Sequence, residues 1–120
     1  MCAANGSALP RPNSYTIRAV DNRAEKDWTR MCAMLSGPLE VAWDQLTVHP
    51  LETGSDQYQL KGELSTVTVG GVTLPQWQYK PTRSARIWYA VDEESKTVWL
   101  TRATMSHPKE TERGHRGSRK

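Results

Sequence analysis

The run Arg86-Ile87-Trp88-Tyr89-Ala90-Val91-Asp92 constrains the fold more than any other stretch of the chain. β-Branched and aromatic residues bounded by polar ones read as a strand. Its faces do not divide into apolar and polar. Ile87, Tyr89 and Val91 lie on one side, and Arg86, Trp88 and Ala90 on the other. A second run follows the polar turn Asp92-Glu93-Glu94-Ser95-Lys96: Val98 and Leu100 alternate with Thr97, Trp99 and Thr101. The two pair as a hairpin whose first face can meet helices. The other face shows Arg86, Trp88, Trp99 and Thr101, where a solvated sheet shows simple polar residues. Mixed rings and arginines suit bases and phosphates. A second small core, covered by the leader or a partner, fits the same pattern. By strict alternation Arg102 falls with Val98 and Leu100, toward the helices or the strand end.

Upstream, Tyr15, Ile17 and Ala19 alternate with Thr16 and Arg18, which predicts a half-buried strand. Asp21-Asn22 then supplies a helix N-cap. Ala24, Trp28, Met31, Cys32 and Leu35 form one helical stripe, and Leu39, Ala42, Trp43 and Leu46 a second. Ser36-Gly37-Pro38 separates the two helices, and His49-Pro50 ends the second, because a residue before proline resists helical geometry. Short strands are predicted over Tyr58–Lys61, Leu64–Val69 and Val72–Lys80, with Gly70-Gly71 as a hairpin turn. Pro75 marks a bulge or an edge. Strands grouped after a helix pair predict an α+β protein: an N-terminal strand and a two-helix hairpin packed on a mostly antiparallel sheet of four to five strands.

The 120 residues suit one domain. Residues 1–13 read as a disordered leader, 14–112 as the domain and 113–120 as a basic disordered tail. The net charge of +3 rests on that tail. Without Arg113, Arg116, Arg119 and Lys120, 12 basic residues face 13 acidic ones. Nucleic-acid binding therefore needs a local cluster plus the tail. Five Trp, four Tyr and no Phe mean that every large ring carries a donor. No apolar run is long enough for a secretory signal or a membrane span. Cys2 and Cys32 have neither disulfide-scaffold nor metal-motif spacing. Together these predict a soluble, cytoplasmic protein without a membrane partner.

Leu60-Lys61-Gly62, then Arg86 to Asp92 after a hairpin, then Val98-Trp99-Leu100 leading to His107-Pro108-Lys109, resembles the RelE/ParE toxin superfamily in order and spacing, over about residues 14–112. The likeness is greatest to RelE-like and HigB-like members. It implies a type II toxin neutralised by a cognate antitoxin protein. RelE-like members cut mRNA, usually on the ribosome, whereas ParE-like members poison DNA gyrase without cleaving nucleic acid. A member that only binds its antitoxin is a third possibility. The tyrosine that some RelE-like members carry near the chain end has no counterpart, since Glu112 and Arg113 stand there.

Metal-independent RNA cleavage requires a base for the 2′-OH, a clamp for the phosphate charge and an acid for the 5′-oxygen. Arg86 corresponds to the family's sheet arginine, and its fork suits two phosphate oxygens. Lys61 corresponds to the lysine of the L-K-G motif, and Glu63 falls on the same strand face if no bulge intervenes. His107 has an imidazole suited to proton transfer, with Lys109 beside it. Trp88, Trp99 and Lys109 are the candidate RNA contacts. His49 and His115 read as structural or incidental, and no three histidines are spaced as metal ligands. The resemblance implies no cofactor.

Overall fold

The computed structural model describes residues 14–105. Strand β1 (Thr16–Ala19) is followed by helices α1 (Asn22–Met34) and α2 (Ser36–Val48). Strands β2 (Gln57–Gln59), β3 (Thr66–Val69), β4 (Val72–Tyr79), β5 (Arg86–Asp92) and β6 (Thr97–Thr104) complete the order, with a 3-10 turn over Gly62–Ser65. The Asp21 carboxylate caps α1 by accepting from the Ala24 N–H at 2.9 Å. Only Leu35 separates the two helices. The helix pair and the α+β layering agree with the sequence-based expectation.

The sheet runs β1-β6-β5-β4-β2, and β3 pairs with β4, so among the described residues it has six strands rather than four or five. The extra strand fits because β4 changes partners along its length. Val72–Pro75 pairs with β3, whereas Gln76–Tyr79 pairs with β5, and Trp77–Tyr79 also with β2. Pro75 ends the β3 ladder one residue before β5 begins, where a missing N–H costs nothing. Gly70 and Gly71 turn the β3–β4 hairpin, both at positive φ. All pairings are antiparallel except β1–β6. Gly62 also has positive φ and starts the 3-10 turn. The strand predicted from Leu64 therefore begins at Thr66, and Glu63 sits on a turn rather than on a strand face beside Lys61.

The core lies between the helix pair and one face of the sheet. Met31, Leu39, Ala42 and Leu46 meet Ile87, Tyr89, Val91, Val98 and Leu100 there. One polar chain crosses this core. The Tyr89 hydroxyl donates to the Pro50 carbonyl at 2.8 Å and accepts from Gln57 Nε2 at 3.0 Å. Gln57 Nε2 also donates to the His49 carbonyl at 2.7 Å, and Gln57 Oε1 accepts from Gln45 at 2.8 Å. The end of α2 is thereby tied to β2 and to the middle of β5.

Candidate functional site

The face of the sheet turned away from the helices carries the remaining large side chains. On β5 these are Arg86 and Trp88. On β6 the alternation breaks. Tyr89 pairs with Leu100, but Trp88 pairs with Arg102, so Thr101 is an extra residue in the ladder. Thr101 and Arg102 consequently both face the open side. The Thr101 hydroxyl donates to Gln76 Oε1 at 2.7 Å, across Ala90, whose small side chain leaves room for the reach. The Arg102 guanidinium lies over the Trp88 ring, 5.5 Å from its centroid. This corrects the expectation from strict alternation, which sent Arg102 toward the helices.

The bulge makes an unusual deletion tolerable. Removing Thr101 restores regular pairing and keeps Arg102 opposite Trp88. The cost is the bond to Gln76, about 1 kcal/mol. A urea midpoint within that cost of the parent, with near-UV circular dichroism retained, is expected. Loss of the fold would contradict the assignment of Thr101 as the extra residue.

Trp88 is locked into a hydrogen-bonded row. Its Nε1 donates to Gln78 Oε1 at 2.8 Å, and Gln78 Nε2 donates to the Tyr58 hydroxyl at 2.8 Å. Lys80 stands over the Tyr58 ring, with Nζ 5.3 Å from the centroid. The row runs from the Arg102 cation to the Lys80 cation across the sheet. Gln78 is 1% exposed and Trp88 5%, so the ring of Trp88 acts as a buried support for Arg102. Lys80 and Arg102 are half-buried.

Arg86, the leading candidate from sequence, is 4% exposed. Its Nη1 donates to the carbonyls of Ala85 at 2.8 Å and Arg83 at 2.9 Å, with Thr82 at 3.5 Å. The guanidinium thus ties down the loop between β4 and β5. Trp99 is on the open side too, opposite Ala90, but half-buried in a groove shared with Arg18 of β1 and with Trp28 and Trp43 of the helices. It is one register step beyond the bulge from Trp88. Lys61 is exposed at the start of the 3-10 turn, beside Leu60, whose N–H donates to the Gln76 carbonyl at 2.9 Å. His107 and Lys109 lie outside the described residues.

Sequence reasoning placed Arg86 and Trp88 together and missed the role of Gln78 and Tyr58. The alternation of Gln76, Gln78 and Lys80 against Trp77 and Tyr79 was a signal for it. Among the described residues no three His, Cys, Asp or Glu side chains come together as metal ligands. No helix among them is long and apolar enough to cross a membrane.

This arrangement of helices and strands is shared, as a fold, with a protein of known structure. A chain of the toxin–antitoxin complex RelBE2 from Mycobacterium tuberculosis superimposes with a TM-score of 0.54 at 24% identity, over 79% of this chain and 99% of that one. No protein-family model matches the sequence, and neither does any curated protein.

Proposed function

We propose that this protein is the toxin of a type II toxin–antitoxin pair, a metal-independent endoribonuclease that binds mRNA on the open face of its sheet and stops translation in the cytoplasm. One observation carries the reading: Arg102 is held on the Trp88 ring, on the face away from the helices, in a fold shared with a chain of a toxin–antitoxin complex. A ring-backed guanidinium is a pre-positioned two-oxygen clamp for a phosphate. Arg86 adds its charge nearby and fixes the loop beside the clamp. Lys80, over the Tyr58 ring, extends the positive charge across the face, and Lys61 is a further proposed phosphate contact.

The chemistry is an in-line attack of the 2′-oxygen on phosphorus, with the bond to the 5′-oxygen breaking. A base takes the 2′ proton and an acid returns one to the 5′-oxygen, leaving a 2′,3′-cyclic phosphate and a 5′-hydroxyl. Arg102 holds the charge that builds on the phosphoryl oxygens, and the buried Arg86 adds its positive field nearby. His107 is the proposed proton-transfer group, two residues beyond Met105 and close in sequence to the end of β6, and Lys109 and Trp99 are further proposed RNA contacts. A cognate antitoxin is the proposed protein partner, and the ribosome the proposed setting for cleavage.

Purified protein carrying His107→Ala is expected to cut a single-stranded RNA at least about a hundredfold more slowly than the parent. Its melting temperature should be unchanged. Undiminished cleavage would remove His107 from the mechanism. A ParE-like toxin that binds gyrase is the second reading. It is favoured by the charge balance outside the tail, 12 basic residues against 13 acidic. A member that only binds its antitoxin is the third.

A further inference from the structure

The β1 ladder pairs Thr16–Ala19 with Thr97–Leu100 and goes no further. Beyond Leu100, β6 runs on beside α1 instead. Between them is a cleft of about 320 Å³. Its helical wall is Arg23, Asp27 and Arg30, and its floor is Arg102 to Thr104 of β6 with Met105 just after it. Positions 23, 27 and 30 share one face of α1, since they are four and three residues apart. Among the described residues, three arginines and one carboxylate line the cleft. The contact between Arg30 and Asp27 is 3.8 Å, and the Arg30 side chain is 67% exposed. At that distance, and with Arg30 exposed, the pair is weak, so Asp27 does not neutralise Arg30. Arg102 belongs to this cleft and also lies on Trp88. The cleft and the open face are therefore contiguous through one side chain.

We infer that the Arg23–Arg30–Arg102 cleft is a backbone-phosphate site that guides a single-stranded RNA off the open face and around the edge of β6. The inference rests on the RNA-binding reading above and adds the contact outside the reacting centre. Arginine forks placed on two sides of a narrow cleft suit the tetrahedral oxygens of a phosphodiester. The guide is independent of base identity, because backbone contacts position a strand without reading it. Neither Arg23 nor Arg30 stood out in the sequence, where each is one more polar residue on a helix.

The test is binding of a fluorescent 2′-O-methyl oligoribonucleotide of about a dozen nucleotides, which cannot be cleaved through its 2′-oxygens, over a range of salt concentrations. Each phosphate neutralised on a single strand contributes about 0.7 to the slope of log affinity against log salt. The Arg23→Ala/Arg30→Ala double variant is expected to lower that slope by about 1.4, one phosphate for each arginine removed. Alanine favours helix at both positions, so α1 stays formed. Arg23→Lys/Arg30→Lys should restore most of the slope, and Asp27→Asn should tighten binding. A double variant with parental affinity and slope, while the parent binds and cleaves RNA, overturns the phosphate site and leaves the nuclease reading standing. In that case the cleft faces an acidic protein segment or serves no ligand. A parent that neither binds nor cleaves overturns both.

Discussion

Arg102→Ala is expected to reduce RNA cleavage by about a hundred- to a thousandfold, the loss typical when one donor to a developing oxyanion is removed. The effect on stability should be smaller. Its contact with the largely desolvated Trp88 ring is worth about 2 kcal/mol, and Trp88 keeps its bond to Gln78. Arg102→Lys keeps the charge but not the fork, so it should recover only part of the rate. Single-turnover cleavage of a labelled RNA, read beside a urea melt, separates the two effects. If Arg102→Ala cuts as fast as the parent, the clamp is elsewhere on the sheet. Arg86→Ala is a less direct probe. It strips the guanidinium's bonds from the carbonyls of the 82–85 loop, so reduced activity there needs a stability measurement before it speaks to chemistry.

Tyr89→Ala should lower stability by about 3–5 kcal/mol, as large-to-small changes of buried aromatic residues do. That is a large part of the stability of a small domain. The ring is fully buried, and its hydroxyl joins β5 to the end of α2. Tyr89→Phe keeps the ring and removes only the hydroxyl, leaving the Pro50 carbonyl short of a donor at a cost of about 1–3 kcal/mol. The same hydroxyl predicts an alkaline limit. Burial pushes the Tyr89 phenol well above its ordinary value of 10.0, against the opposing effect of the Gln57 bond, and Tyr79 adds to the rise. A folded-state value above the unfolded one means that the protonated phenol stabilises the fold. The contribution is complete below about pH 10 and is lost as pH climbs above it toward the folded-state value. Burial and Asp56 raise Tyr79 as well, so Tyr89→Phe should weaken the alkaline dependence rather than abolish it. Equal slopes of stability against pH above about 10 in parent and Tyr89→Phe would contradict this linkage.

The parts of the fold legible in the sequence are those written in local periodicity. The two helical stripes, the Asp21 cap, the Gly70-Gly71 turn and the core side of β5 all depend on neighbours within a few residues. The site was legible only in outline. Arg86 and Trp88 share a face by simple alternation, yet their burial depends on what crosses that face from β4 and β2. Nothing local marks Thr101 as the extra residue of a bulge, because a bulge exists only relative to a partner strand. Without it, Arg102 counts to the wrong side. The 3-10 turn at Gly62 was hidden for a similar reason. Glycine announces a break, but whether the chain then continues as a strand is decided by the pairing available on β4.

Cleavage of RNA on the open sheet face is tested most directly by expressing the protein without a partner and mapping the 5′ ends of cellular RNA across the transcriptome. New 5′-hydroxyl ends within messages are expected soon after induction, and they should be absent when Arg102→Ala is expressed at the same level. Growth arrest with unchanged RNA ends would contradict the claim and would point to a protein target instead.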